Sequence, residues 1–304
     1  MRLINCATGK LETVRDWPRG QRPPYAILSH TWTQHHEPEE VSYKDYLSGR
    51  PATKEMNWAK VDNAIGITKA DPQRLNYLWI DTCCIDKDSS TELSESINSM
   101  FKWYSEAAVC YVHLADFVAQ EKAAADKDTD DCSSEAVPGS SGAVLASRLG
   151  RSRWFYRGWT LQELVAPRVV KFFDRGWQYF GSRQDLRFEL DFITGIGEDV
   201  LADPTHPRLT RDVQSILRGL PLARKMSWAA TRKTTREEDT AYSLLGIFGV
   251  SMPLLYGEGH RAFLRLQEEI MKARNDLSLF AWESTAIGND SWYSTTFMLS
   301  SSST

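Results

Sequence analysis

Short continuous apolar runs alternate with stretches of helical spacing through the first half of the chain. Residues 25–29 and 77–80 are apolar without a polar–apolar alternation, the pattern of strands covered on both faces, and they predict a parallel sheet, with 108–114 and 168–174 as its further strands. Between the first two runs, Trp58, Val61, Ala64 and Ile65 recur at helical spacing, so the segment reads as a β-α-β unit. Ser89 and Ser90 are caps for a helix of about four turns whose apolar face is Leu93, Ile97, Met100, Phe101 and Tyr104.

From residue 119 to about 150 the chain is rich in Ala, Asp, Ser and Gly and almost free of aromatic residues. Such a composition does not offset the entropy of ordering, and it predicts a mobile insertion. The segment Gly158–Ala166 predicts a short helix with Leu161, Leu164 and Val165 on one face and Trp159, Gln162 and Glu163 on the other, closed by Pro167. Beyond Ser182 the spacing turns helical: 185–193, 211–218, 222–230, 239–248 and about 260–274. The expected organisation is an α/β domain over residues 1–182, carrying the insertion, and a helical extension over 183–304 packed on it.

Composition narrows the function classes. With 42% hydrophobic and 25% charged residues and a formal charge of -4, the chain has the balance of a soluble globular protein and not of a surface built for nucleic acid. No run approaches the roughly 18 apolar residues of a membrane span, and Met1–Cys6 is too short and polar for a secretory signal; the expected location is the cytoplasm. Five cysteines without scaffold spacing fit a reducing compartment. Among the 11 tryptophans, Trp154, Trp159, Trp177, Trp228 and Trp282 sit in apolar runs and are expected in the core.

The candidate chemistry gathers where the strand-like runs end, because an open parallel sheet binds ligands beyond the carboxyl ends of its strands. Ser29 and His30 end the first run, and Asp81 ends the second; Glu163 lies in the short helix, one turn after Trp159. A carboxylate against an aromatic wall has its pKa raised by desolvation and can stabilise cationic charge on a sugar carbon. The dull alternatives are a solvated helical glutamate, a capping aspartate and a hydrogen-bonded core histidine. Adjacent Cys83 and Cys84 do not make a zinc site and read as small buried hydrophobes. His30, His35, His36 and Glu37 match no metal spacing, and no metal is expected. Gly257-Glu258-Gly259 is a turn before a helix, with anion binding the lesser alternative. Gly-x-Ser-x-Gly, Gly-x-Gly-x-x-Gly and the phosphate-loop lysine motif are all absent, which removes the common hydrolase, dehydrogenase and P-loop readings.

Tyr25-Ala-Ile-Leu-Ser-His-Thr-Trp32, Leu78-Trp-Ile-Asp-Thr-Cys-Cys-Ile-Asp-Lys87 and Arg157-Gly-Trp-Thr-Leu-Gln-Glu-Leu164 resemble the motifs of the fungal heterokaryon-incompatibility (HET) domain. The runs Met226–Ala230, Thr234–Phe248 and Met252–Gly259 resemble the segment that commonly follows it. HET domains are linked to programmed cell death and resemble TIR domains, which implies a TIR/flavodoxin-like parallel sheet flanked by helices. Aligned with the TIR pattern Ser-x-Trp-Cys-x-x-Glu-Leu, Glu163 falls on the glutamate with which TIR enzymes cleave NAD, while Thr160 replaces the cysteine. The resemblance therefore implies an NAD(P) glycohydrolase-type activity with Glu163 as catalytic carboxylate. Ser29, His30, Trp32, Asp81, Cys83, Arg153, Arg157 and Trp159 would line the pocket, the arginines meeting the pyrophosphate. NAD is then substrate and no cofactor is expected; the implied partners are copies of the chain on activation and an upstream receptor-type protein. The rival expectation is a non-catalytic, self-assembling signalling module.

Overall fold

The computed structural model describes residues 1–13, 22–34, 37–49, 57–119, 140–202 and 213–273. Its frame is a seven-stranded sheet of β1 (Arg2–Asn5), β2 (Leu11–Thr13), β3 (Tyr25–His30), β4 (Tyr77–Trp79), β5 (Val109–His113), β6 (Val170–Phe173) and β7 (Tyr179–Ser182), in the order β2-β1-β4-β3-β5-β6-β7. The four expected strands are the parallel centre, β4-β3-β5-β6. Every residue of β3 and β5 is buried, which is why their sequences are continuous apolar runs. The sheet as a whole is mixed, because β1, β2 and β7 pair antiparallel at its edges. These three short strands carry too little apolar pattern to stand out in the sequence.

Around the sheet run α1 (Tyr43–Ser48), α2 (Trp58–Ala70), α3 (Asp81–Cys84), α4 (Ser90–Glu106), α5 (Ser140–Leu149) and α6 (Thr160–Val165). Helix α4 begins as its sequence predicts, with the Ser89 hydroxyl accepting from the Glu92 N–H. Asp81 is the first residue of α3 and not a loop residue. Part of the expected mobile insertion is ordered: α5 packs on the later helix α7, and Ala146 and Leu149 are buried. The remainder of that stretch, residues 120–139, lies outside the described residues, as does Trp282.

The second half holds α7 (Arg187–Thr194), α8 (Glu198–Leu201), α9 (Val213–Gly219), α10 (Leu222–Ser227), α11 (Asp239–Tyr242), α12 (Leu245–Phe248) and α13 (Arg261–Ala273). The single helix expected over 239–248 is two short ones, broken at Ser243 and Leu244. One hydrophobic cluster runs from Leu3 to Ile270, through both halves. Trp154 and Trp228 are fully inside it, whereas Trp159 and Trp177 are only partly buried against it. No helix among the described residues is long and apolar enough to cross a membrane.

Helix α12 lies directly on α4, and the contact depends on Gly246: a Cβ there would collide with Cβ and Cγ of Phe101. Neither helix can yield without opening the core between the two halves. Gly246→Ala is expected to lower stability by about 1–3 kcal/mol, measured by urea denaturation, although alanine is the better helix former.

Candidate functional site

Helix α6 is unusual because all six of its residues are buried. A buried helix has no water to satisfy its end groups; here a distant side chain meets a carbonyl at its end, and polar side chains tie down the turn ahead of its start. At its start the Thr160 hydroxyl bonds the Trp154 and Arg157 carbonyls at 2.5 and 2.8 Å. Arg232 donates to Thr160 Oγ1 and to the Arg157 carbonyl, both at 2.9 Å. At its end Arg183, wholly buried, donates to the Leu164 carbonyl at 2.7 Å. Gly158, just ahead of the helix, leaves no room for a side chain against Thr234 and donates its N–H to the Lys233 carbonyl at 2.9 Å.

So clamped, α6 presents Glu163 to the end of β3. The Ser29 hydroxyl donates to Glu163 Oε2 at 2.5 Å, and the Trp154 indole N–H donates to Ser29 Oγ at 2.8 Å. Tyr104, from α4, lies close to the carboxyl and donates its hydroxyl to the Leu28 carbonyl at 3.2 Å. Glu163 is 7% exposed, so it is not the solvated helical glutamate of the dull alternative. Burial pushes its pKa up to about 8; the Ser29 bond opposes this, the Asp81 charge adds to it, and Tyr104 and Arg157 oppose it.

The next residue of β3 points to the other face of the sheet, where α2 packs. His30 Nδ1 lies 3.2 Å from Lys60 Nζ, which can only donate, and Nε2 lies 3.0 Å from Asp81 Oδ1. Lys60 is ion-paired with Glu40. Asp81 also accepts from the Trp32 indole at 3.0 Å and from Lys87 at 3.4 Å, and Lys87 sits 3.7 Å over the Trp32 ring. Burial opposes ionisation of Asp81, but Lys87 and the bonds from His30 and Trp32 outweigh it and hold the carboxyl well below the usual range. The surroundings thus drive the two carboxyl groups in opposite directions.

Ser29 thus joins Glu163 on one face of the sheet and His30, Trp32 and Asp81 join one another on the other, while the other expected site residues are engaged elsewhere. Cys83 is fully buried, with its thiol directed to the Val41 carbonyl. Arg153 is held by Asp116 and Glu37, and the Arg157 guanidinium bonds Thr235. Trp159 is turned toward Asp239; the tryptophan that reaches the carboxyl's partner is Trp154, from the 3-10 turn ahead of α6. His35 and His36 lie outside the described residues, and the turn at Gly257–Gly259 binds Glu238 through its N–H groups.

The sequence reading missed Lys60, Glu40, Tyr104, Arg183 and Arg232. Lys60 is a charged residue one position before Val61 on the buried face of α2. Arg232 follows Trp228 by one helical turn and bonds its carbonyl at 3.1 Å. Both are signals only once the opposing surface is known.

A family model for the heterokaryon incompatibility protein (HET) matches residues 25–163, ending on Glu163 itself. The vegetative incompatibility protein HET-E-1 of Podospora anserina is 43% identical over 270 residues, 87% of this chain and 17% of that protein. This chain carries a HET domain. Residues 261–297 match a second model, a domain of unknown function (DUF8212). No solved structure matches the chain. The HET model includes Ser29, His30, Asp81 and Glu163 but stops short of Arg183 and Arg232, so the two guanidinium groups that anchor α6 come from outside the matched segment.

The raised pKa of Glu163 has a sign that can be measured. Unfolded, the carboxyl ionises near its ordinary value, while folded it keeps its proton up to about pH 8. Between these values the folded state binds the extra proton, so this group makes stability fall as pH rises, by at most about 1.4 kcal/mol per pH unit. Glu163→Gln, which cannot ionise, is expected to remove that fall and to be at least as stable as the wild type near pH 8, as read from urea denaturation between pH 5 and 8.

Proposed function

We propose that this chain is a heterokaryon-incompatibility effector whose HET domain hydrolyses the nicotinamide–ribose bond of NAD or a related nucleotide, with Glu163 as the catalytic carboxylate. The observation that carries the reading is the placement of that carboxyl: buried, bonded to Ser29 at a strand end, and within the field of Asp81. The likeness of the surrounding motifs to those of TIR enzymes supports it.

At rest most copies of Glu163 hold a proton at neutral pH. A nicotinamide ring bonded to ribose carries a positive charge, and an opposite charge close by favours the carboxylate. The ionised Glu163 would bind the ribose hydroxyls and stabilise the cation at C1′. The C–N bond breaks with its electron pair leaving on nicotinamide. Water then adds to C1′ and releases a proton, giving ADP-ribose. Depletion of the dinucleotide would be the toxic event in the cytoplasm. NAD is substrate here, and no further cofactor is called for.

A second reading has its own observation. Two clefts flank the strand end, one lined by Trp32, Thr82 and Lys87 and the other by Thr31, Lys60 and His113, and Glu163 lines neither. The carboxyl would then be a core group of a self-assembling module that signals without catalysis. Both readings hold if assembly, prompted by an upstream partner, opens the site.

The purified chain, incubated with NAD at increasing protein concentration, is expected to release nicotinamide more than in proportion to its concentration. Glu163→Gln is expected to lose activity by a factor of about 10²–10³, the scale of removing one charge-stabilising group. Nicotinamide is followed by chromatography. Release that is absent from assembled wild-type protein, or equal in the variant, leaves the signalling module alone standing.

A further inference from the structure

The parallel core runs in the order second, first, third, fourth: from β3 the chain crosses to β4 on one side and then returns to β5 on the other. Such a reversal leaves a crevice beyond the carboxyl ends of the two diverging strands, where helices cannot cover it. A cleft of about 330 Å³ lies there, at the lower end of the small-molecule range. Thr31 closes it on the β3 side and His113 on the β5 side, the first turn of α2 forms one wall, and Arg175 and Trp177 reach in from the turn between β6 and β7.

His113 is the informative side chain. It is 6% exposed, and neither ring nitrogen has a hydrogen-bond partner of normal geometry among the described residues, although the Arg175 backbone is close. Burial, with the Lys60 and His30 charges adding, pushes its pKa down to about 3, so at neutral pH the ring offers one donor and one acceptor. Leaving such a group unpaired costs about 1–3 kcal/mol. The ring is held by stacking on Trp177, with centroids 4.0 Å apart and planes 7° apart. Trp177 itself has φ +60°, a strained value for a bulky residue, and strain of this kind persists where surrounding structure enforces it, commonly at ligand sites.

The charges point to the ligand's sign. Lys60 is paired with Glu40, and Glu37 shares the Arg153 guanidinium with Asp116. The exposed Arg175 guanidinium makes no ion pair or hydrogen bond among the described residues, so it is the uncompensated cation of the cleft. The 13-residue helix α2 adds the positive end of its dipole, with Asn57 and Ala59 at the lining. Together these suit an anion with several oxygens.

We propose that this switch-point crevice binds a diphosphate-bearing small ligand, either free diphosphate or a nucleoside diphosphate. Arg175 and the first turn of α2 take the anion, and His113 supplies an oriented hydrogen bond. The site is separate from the Glu163 carboxyl, and its test needs no turnover.

The chain is titrated with inorganic pyrophosphate and, separately, with ADP, by calorimetry and by tryptophan fluorescence, which reports on Trp177. Saturable binding of one equivalent is expected for at least one probe; binding of ADP alone identifies a nucleotide site, and tighter pyrophosphate binding identifies a free-diphosphate site. Arg175→Ala, at an exposed position that leaves the fold intact, is expected to weaken binding about tenfold or more. His113→Gln is expected to weaken it as well, and Glu163→Gln to leave it unchanged. The proposal is overturned if wild-type protein binds neither probe at millimolar concentration, or if Arg175→Ala binds as wild type does. Should binding stand while nicotinamide release fails, the crevice remains and the hydrolytic reading falls.

Discussion

The arrangement at the strand ends depends on burying a six-residue helix on all sides. A helix that short has more unsatisfied end groups than internal hydrogen bonds, and in a dry interior each of these needs a partner. Arg183 provides one at the carbonyl end, while the Thr160 hydroxyl and Arg232 fix the carbonyls of the turn that leads into the helix. Burial lowers the pKa of Arg232, but a guanidinium stays charged at neutral pH. That cation lies within reach of Glu163 and favours its ionised form, while the surrounding apolar packing disfavours it. The balance leaves a carboxyl that titrates near neutrality.

The alternation of β3 divides the chemistry into two halves. Ser29 faces α6 and joins a closed chain in which the Trp154 indole donates to Ser29 and Ser29 to Glu163. His30 faces α2 and joins a charged group, with Lys60, Glu40, Asp81 and Lys87, that borders solvent on both sides. One residue step therefore separates a proton-holding pocket from an ion-pair network. The Asp81 charge couples the two, because it raises the pKa of Glu163 while being held ionised by Lys87 and His30. Anything that displaces Trp32 or Lys87 from Asp81 alters the field at Glu163 without touching it.

The helical extension is part of the same construction. Its helices α11 and α12 pack on α13 and on α4, and Lys233 extends a parallel bridge to Arg157 just before α6. The segment matched by the HET family and the segment beyond it share one core, so movement of the extension against α4 would loosen the end of α6 that Arg232 and Lys233 hold.

Much of this was legible in the chain itself. The four central strands, the capped helix at Ser89 and the polar strand ends are written locally, since strand burial and helix capping depend on residues within a few positions of one another. The motifs at Tyr25–Trp32, Leu78–Lys87 and Arg157–Leu164 likewise marked Ser29, Asp81 and Glu163. What no local pattern could contain is pairing across distance. Trp154 rather than Trp159 serves Glu163, and Arg153 and Arg157 are committed to other groups. Arg183 and Arg232 anchor the ends of a helix some twenty and seventy residues before them, and the His113 ring nitrogens have no hydrogen-bond partner among the described residues, in a crevice set by the reversal of strand order. A hydrogen bond or a desolvated charge is a property of two surfaces meeting; the sequence determined each surface, and the tertiary fold alone decided which of them met.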